Sequence, residues 1–206
     1  MFSSLTTFTY DDLGLLLSVA TMLGAGLAVY KIRGVRKAAW NRKVQTKATE
    51  HGAELLPWPQ EQGWQMVWTH WGVTIRFCLR RFNSDDAARL PQFFEIAAPG
   101  GLPKFSARVG LSNSSRTPGF NAAFEQRFTV PTSEHDIVRS ILSEPMQAEL
   151  ARLAGVVASG EIRSDGRVLV WRPGVDLLDE LPAALQLARA LAERLAGRRE
   201  LLPDQR

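Results

Sequence analysis

Cysteine is almost absent: Cys78 is the single one in 206 residues. A lone thiol excludes an internal disulfide framework and suits a reducing compartment. Histidine is scarce as well, with His51, His70 and His135 falling in an expected linker, a turn and a helix start. No Cys/His spacing resembles a metal site, so no metal and no cofactor is expected. The chain has no P-loop, and its nearest approach to Gly-x-Ser-x-Gly is "GLSNS", which lacks the second glycine. Gly24-x-Gly26 is no nucleotide fingerprint, because no strand precedes it. Past position 50 lysine nearly disappears too, with Lys104 alone among seventeen arginines.

Net charge is also missing from most of the chain. The total is +4, and residues 1–50 hold seven basic and three acidic side chains, which accounts for all of it. The remaining residues balance at eighteen of each sign. A pI of 9.6 therefore reflects one local cluster, and the balanced remainder has no field to attract phosphate. Nucleic acid is not an expected partner.

What is present begins with "LGLLLSVATMLGAGLAVYKIRG". Leu13 to Tyr30 is a run of eighteen uncharged residues with six leucines, and only Ser18 and Thr21 carry side-chain hydroxyls before Tyr30. As a helix it would rise about 27 Å, close to the hydrocarbon thickness of a bilayer. No face is polar, which argues against an amphipathic surface helix. The preceding "MFSSLTTFTYDD" has no basic residue and two aspartates, unlike a cleaved export signal. The run reads as a transmembrane helix over 13–30. Lys31, Arg33, Arg36, Lys37, Arg42, Lys43 and Lys47 follow it, so the C-terminal side is expected in the cytoplasm and residues 1–12 outside. The first six of these would meet anionic headgroups at the membrane interface, making lipids a partner. Ala20, Gly24 and Ala28 recur every four residues; such a stripe permits close helix packing, although small residues are common in membrane helices.

Helical character is expected to continue to about Gly52, a natural helix stop. "ELLPWPQEQG" then reads as a linker, which closes a basic juxtamembrane segment over 31–59. "GWQMVWTHWGVTIRFCLRRF" reads as a hairpin turning at Trp71-Gly72. Pairing His70 with Val73 sets Trp68 opposite Ile75, Met66 opposite Phe77 and Trp64 opposite Leu79, all on one apolar face. A tryptophan is unusual in so tight a turn, and a four-residue loop would keep the same register.

Strands are expected at "QFFEIAAP" and "KFSARVGL", joined by the turn "PGGLP", then a polar loop "SNSSRTPG" and a strand "FEQRFTV". Helices follow at about 133–142, capped by Ser133 with Asp136, and at 144–154, started by Ser143 and Pro145. "EIRSDGRVLVWR" reads as a second hairpin with Asp165-Gly166 in its turn. An amphipathic helix over about 177–196 places Leu177, Leu181, Leu185, Ala188, Leu191 and Leu195 on one stripe, and Gly197 ends it. Leu185 and Leu191 are the expected buried positions; the competing reading is a docking helix with exposed leucines. Residues 60–197 thus form one α+β domain, an antiparallel sheet with helices gathered toward the C-terminus, and 198–206 is a tail.

Chemistry-bearing groups are few. Asp85-Asp86 and Asp179-Glu180 read as solvated or capping carboxylates, the latter near a helix start that favours acids. Arg76 and Arg80 would flank Cys78 on its strand face; nearby cations lower a thiol pKa, whereas a lone strand cysteine more often packs as a small half-buried residue. No catalytic residue is assigned.

The stretch "FEQRFTVPTSEHDIVRSILSEPMQAELARLAG", with "IRSDGRVLVW" and the final helix, resembles an uncharacterised bacterial membrane-associated domain. The matching pieces are Phe124, Arg127, Phe128 and Val130, then Leu142, Ser143 and Pro145, then the Asp165-Gly166 turn, across about residues 120–196. The resemblance implies a bacterial membrane-associated protein and supplies no active site; a short polar N-terminus and a single anchor depart from members with two spans, and the expected location is the inner membrane. The combined reading is a single-pass membrane protein whose cytoplasmic domain binds or scaffolds a protein partner or a second copy, with a membrane-anchored enzyme as the alternative.

Overall fold

A computed structural model describes residues 10–58, 63–80, 92–97, 102–110, 119–154, 160–173 and 177–197. The chain divides into two units, Met1–Lys43 and Val44–Arg206. The first helix, α1 (Tyr10–Glu50), begins in the first unit and ends in the second. Its last turn closes at Gly52, whose φ of 62° is the left-handed stop that glycine accepts without strain. The expected span 13–30 lies within α1, while the side chains of residues 10–17 and 20 lie outside the described residues. Among the described residues no helix is long and apolar enough to cross a membrane.

The second unit is α+β, with eight strands in one sheet whose pairs are all antiparallel. The expected linker is instead partly a strand, β1 (Glu54–Trp58), paired with β2 (Gly63–His70). Pro57 fits because β1 is the sheet's edge, where a missing N–H leaves no ladder bond unmade. β2 and β3 (Val73–Leu79) pair in the expected register, Trp64↔Leu79 through His70↔Val73. The turn is the two-residue form: Trp71 and Gly72 both have positive φ, 52° and 69°.

β4 (Gln92–Ala97) and β5 (Phe105–Val109) are strands as expected but are not neighbours. The hairpin of β7 (Glu161–Ser164) and β8 (Val168–Arg172) lies between them, giving the order β1-β2-β3-β4-β8-β7-β5 and then β6 (Phe128–Thr129). Two intervening strands separate β4 from β5 by about 14 Å, which a tight turn cannot bridge and residues 98–104 can. Leu102 N–H donates to Gly166 O at 2.8 Å, so this connection runs past the β7–β8 turn.

"FEQRFTV" is mostly helix rather than strand: α2 (Ala122–Arg127) precedes the two residues of β6. Asn121 Oδ1 caps α2 by accepting the Ala123 N–H, and Glu125 accepts the Phe120 N–H. Phe120, Phe124 and Phe128 stack in sequence at 5.5 and 4.5 Å, the four-residue spacing of a helix face. A 3-10 turn over Thr132–Glu134 leads into α3 (His135–Ile141), so Ser133 lies before the cap and no side chain caps the helix. Asp136 instead pairs with Arg139 at 3.3 Å. Ser143 holds the cap position of α4 (Glu144–Leu153), again without a side-chain bond. The last helix, α5 (Leu181–Gly197), starts four residues later than expected, and ahead of it the Leu177 N–H donates to the buried Gln92 side chain at 2.8 Å.

One sheet face carries the core. Phe77, Phe94 and Trp171 stack across β3, β4 and β8 at 4.6 and 5.3 Å, and α5 packs on β2, β3 and β4. Leu177, Leu181, Leu185, Ala188, Leu191 and Leu195 are all buried. The opposite face carries an ionic cluster, in which Glu161 accepts from Arg172, with Arg163 and Arg108 at 3.7 and 3.8 Å, beside Phe93 and the buried Cys78.

Candidate functional site

The sequence-derived site residues lie on α1. Lys31, Arg33, Arg36, Lys37, Arg42 and Lys43 are exposed along the helix, as are Gly24 and Ala28; the Ala20 side chain lies outside the described residues. A Cβ added to Gly24 or Gly26 would meet no atom within 4 Å, so this stretch is open on those sides.

Cys78 is fully buried, and a reactive thiol does not survive that placement. Burial first, and then the Glu95 carboxylate, push it up to about 12, outweighing Arg76. Desolvation penalises the thiolate more than one half-exposed cation favours it. Asp85-Asp86 lies outside the described residues. Asp179 and Glu180 are exposed before α5, with Glu180 3.5 Å from Arg152. Among the described residues no group of His, Cys, Asp and Glu could hold a metal ion.

Two of the three histidines come together, which their positions in sequence did not foretell. His51 follows the last turn of α1, and His70 ends β2 at the hairpin tip. With Pro182, Leu185, Gln186, Arg189, Ala190 and Glu193 of α5 they line an open groove of about 490 Å³. The α5 residues share one flank through helical spacing, beside the buried stripe. His70 Nε2 lies 2.8 Å from Glu193 Oε1, a bond joining residues 123 apart in sequence. His51 holds its place through its backbone, whose carbonyl accepts the Trp68 indole N–H at 2.9 Å. Its ring Nε2 is buried with no hydrogen-bond partner. His135 is elsewhere, with Nε2 3.2 Å from Val130 O and its ring edge-on to Phe120.

The groove therefore offers an imidazole oriented by a carboxylate, an arginine and an aliphatic floor. Its lining includes no serine, threonine or cysteine nucleophile. The second unit is an α+β sheet-and-helix domain with an open groove on the flank of α5. No family model matches the chain, and no curated protein matches it. Among solved structures it is similar to the crystal structure of the mycobacterial trehalose monomycolate transport factor A, TtfA. The identity is 12%, over 80% of this chain and 97% of that one, with a TM-score of 0.48.

Proposed function

We propose that the chain is a single-pass protein of the bacterial cytoplasmic membrane whose α+β domain, on the cytoplasmic side, binds a protein partner. One observation carries the membrane part. Met22, Leu23, Leu27, Val29, Tyr30, Ile32 and Val35 of α1 are all exposed, from 48% to 77%. At about 100° per residue these positions point all round the helix axis. Large apolar side chains exposed in every direction call for an apolar solvent, and the cations after Tyr30 supply a boundary and an orientation. Ala20, Gly24 and Ala28 would allow two such helices to pack.

The protein-binding part is supported by an open groove lined by aliphatic, charged and amide side chains. A second reading, a membrane-anchored enzyme, is favoured by the His70–Glu193 pair, the geometry of a carboxylate-oriented general base.

The membrane reading is tested by alkaline extraction and a C-terminal topology reporter. The chain should stay with the membrane at high pH, and a reporter active only outside the cytoplasm should be silent after Arg206. Arginine at both Leu23 and Leu27 adds about 2.5–3.5 kcal/mol each to insertion at a helix centre and should release the chain. Extraction of the unaltered chain, or an active reporter, refutes the assignment.

A further inference from the structure

Residues 51–206 carry equal numbers of acidic and basic side chains, but the sheet does not distribute them evenly. Arg172 on β8, Glu161 on β7 and Arg108 on β5 stand directly opposite one another across three neighbouring strands. Arg163 lies two residues beyond Glu161 on β7, and the two-residue period of a strand puts all four side chains on the face away from the core. Three guanidiniums thus surround one carboxylate, which leaves two positive charges uncompensated. The balanced total charge of the domain hid this local excess.

Glu161 does not satisfy all three cations. It accepts a hydrogen bond from Arg172, while Arg163 Nε and Arg108 Nε stop at 3.7 and 3.8 Å from it, beyond hydrogen-bond reach. Among the described residues neither of these two guanidiniums donates to a protein group. The other acids nearby are engaged or distant. Glu95 lies two strands away and pairs with Arg76 at 3.8 Å. Glu134 stands at the β5 edge, where it accepts the Ser106 N–H at 2.5 Å, and Glu54 is on β1 at the other end of the sheet. Arg172 is held from two sides, by Glu161 and by the Phe93 ring 5.4 Å from its Cζ. Arg163 and Arg108 remain open to a ligand, with side chains 49% and 71% exposed.

We infer that Arg108 and Arg163 form a binding site for a phosphate monoester. Such a group carries a charge of about −1.5 to −2 at neutral pH and three acceptor oxygens, which matches the excess charge and supplies an oxygen to each guanidinium. A carboxylate, with one charge and two oxygens, is satisfied by a single arginine fork. The two arginines stand beside the two oxygens of one carboxylate, a separation that a tetrahedral anion can bridge. Both heads face water, so affinity is in the millimolar range and falls with salt. The phosphate belongs either to a soluble ester or to a lipid headgroup, and its chemistry at the two arginines is the same. The site is independent of the α5 groove and of the protein-binding reading.

The test titrates the full chain, in neutral detergent micelles at fixed ionic strength, with inorganic phosphate in a calorimeter. Saturable binding is expected. Arg108→Ala and Arg163→Ala should each weaken it by about fivefold, between the effects of an exposed ion pair and a charge-assisted hydrogen bond. Glu161→Gln should tighten it by a similar factor, because the competing carboxylate charge is gone. Arg152→Ala, on α4, should leave it unchanged. Absence of phosphate binding, weaker binding by Glu161→Gln, or indifference to both arginine substitutions overturns the inference. That last result would place the binding on the α1 cations, which every variant keeps. Micelles carrying phosphatidic acid or, at equal charge, phosphatidylglycerol then separate the two sources. If phosphatidic acid alone abolishes the phosphate signal, the ligand is a lipid headgroup; if the signal persists with both, it is a soluble ester.

Discussion

Replacing Leu191 with alanine removes three carbons from a side chain with no exposed surface in the middle of α5. Their transfer out of water is lost, at about 0.8 kcal/mol each, or roughly 2.4 kcal/mol. The neighbouring elements α3, α4 and the sheet hold α5 on several sides, so the space will not close fully. A residual void on the order of 50 Å³ adds about 1.2 kcal/mol. The expected loss is therefore about 3.5 kcal/mol, which for a domain of this size lowers the melting temperature by roughly 7–14 °C. Near-UV circular dichroism reports this directly, because Trp68 and Trp171 are buried and become mobile on unfolding. Helical far-UV signal would be a poorer probe, since α1 contributes to it whether or not the sheet melts. Gln186→Ala, on the exposed flank of the same helix, should stay within about 0.5 kcal/mol of the unaltered protein. If Leu191→Ala melts alongside Gln186→Ala, then α5 is a detachable docking helix and its burial against the sheet is wrong.

Two further outcomes follow from particular contacts. Cys78 should resist iodoacetamide in the folded protein at pH 8 and react readily in denaturant. Its folded pKa, pushed up to about 12, lies above the ordinary 9.0, so it contributes stability below pH 9 that is lost as pH rises toward 12. Cys78→Ala should flatten that part of the melting-temperature profile, and an identical profile would contradict the buried placement. Gly63→Ala should destabilise by about 1–3 kcal/mol or more, because its Cβ would stand 2.0 Å from the Leu79 carbonyl oxygen in the next strand. A variant melting with the unaltered protein would refute that close approach.

Local periodicity made much of this fold legible. The alternation in "GWQMVWTHWGVTIRFCL" set the β2–β3 register residue by residue, since a slip of one would turn Met66, Phe77 and Ile75 to solvent. The leucine stripe of α5 and the Asp165-Gly166 hairpin were equally readable, because each depends on neighbours within a few positions. Where two local patterns competed, the reading went astray. "FEQRFTV" alternates well enough for a strand, yet the four-residue spacing of Phe120, Phe124 and Phe128 and the Asn121 cap decide for helix.

Other features had no local signature at all. Pro57 argued for a linker until the sheet placed it on an edge, where its missing N–H is harmless. The order of strands could not be read, because β8 pairs with β4 through backbone bonds that any sequence can make. The groove is the clearest case: His51, His70 and Glu193 are polar residues without a shared period, drawn together by the packing of α5 on β2 and β3. The sequence alone determined the strongly periodic elements, the β2–β3 hairpin and the leucine stripe of α5, and which face of each is buried, since those follow from the spacing of apolar side chains along the chain. Only the tertiary structure decided the order of the strands and the meeting of His51, His70 and Glu193 in one groove, because adjacency is fixed by the one arrangement that buries every apolar face at once.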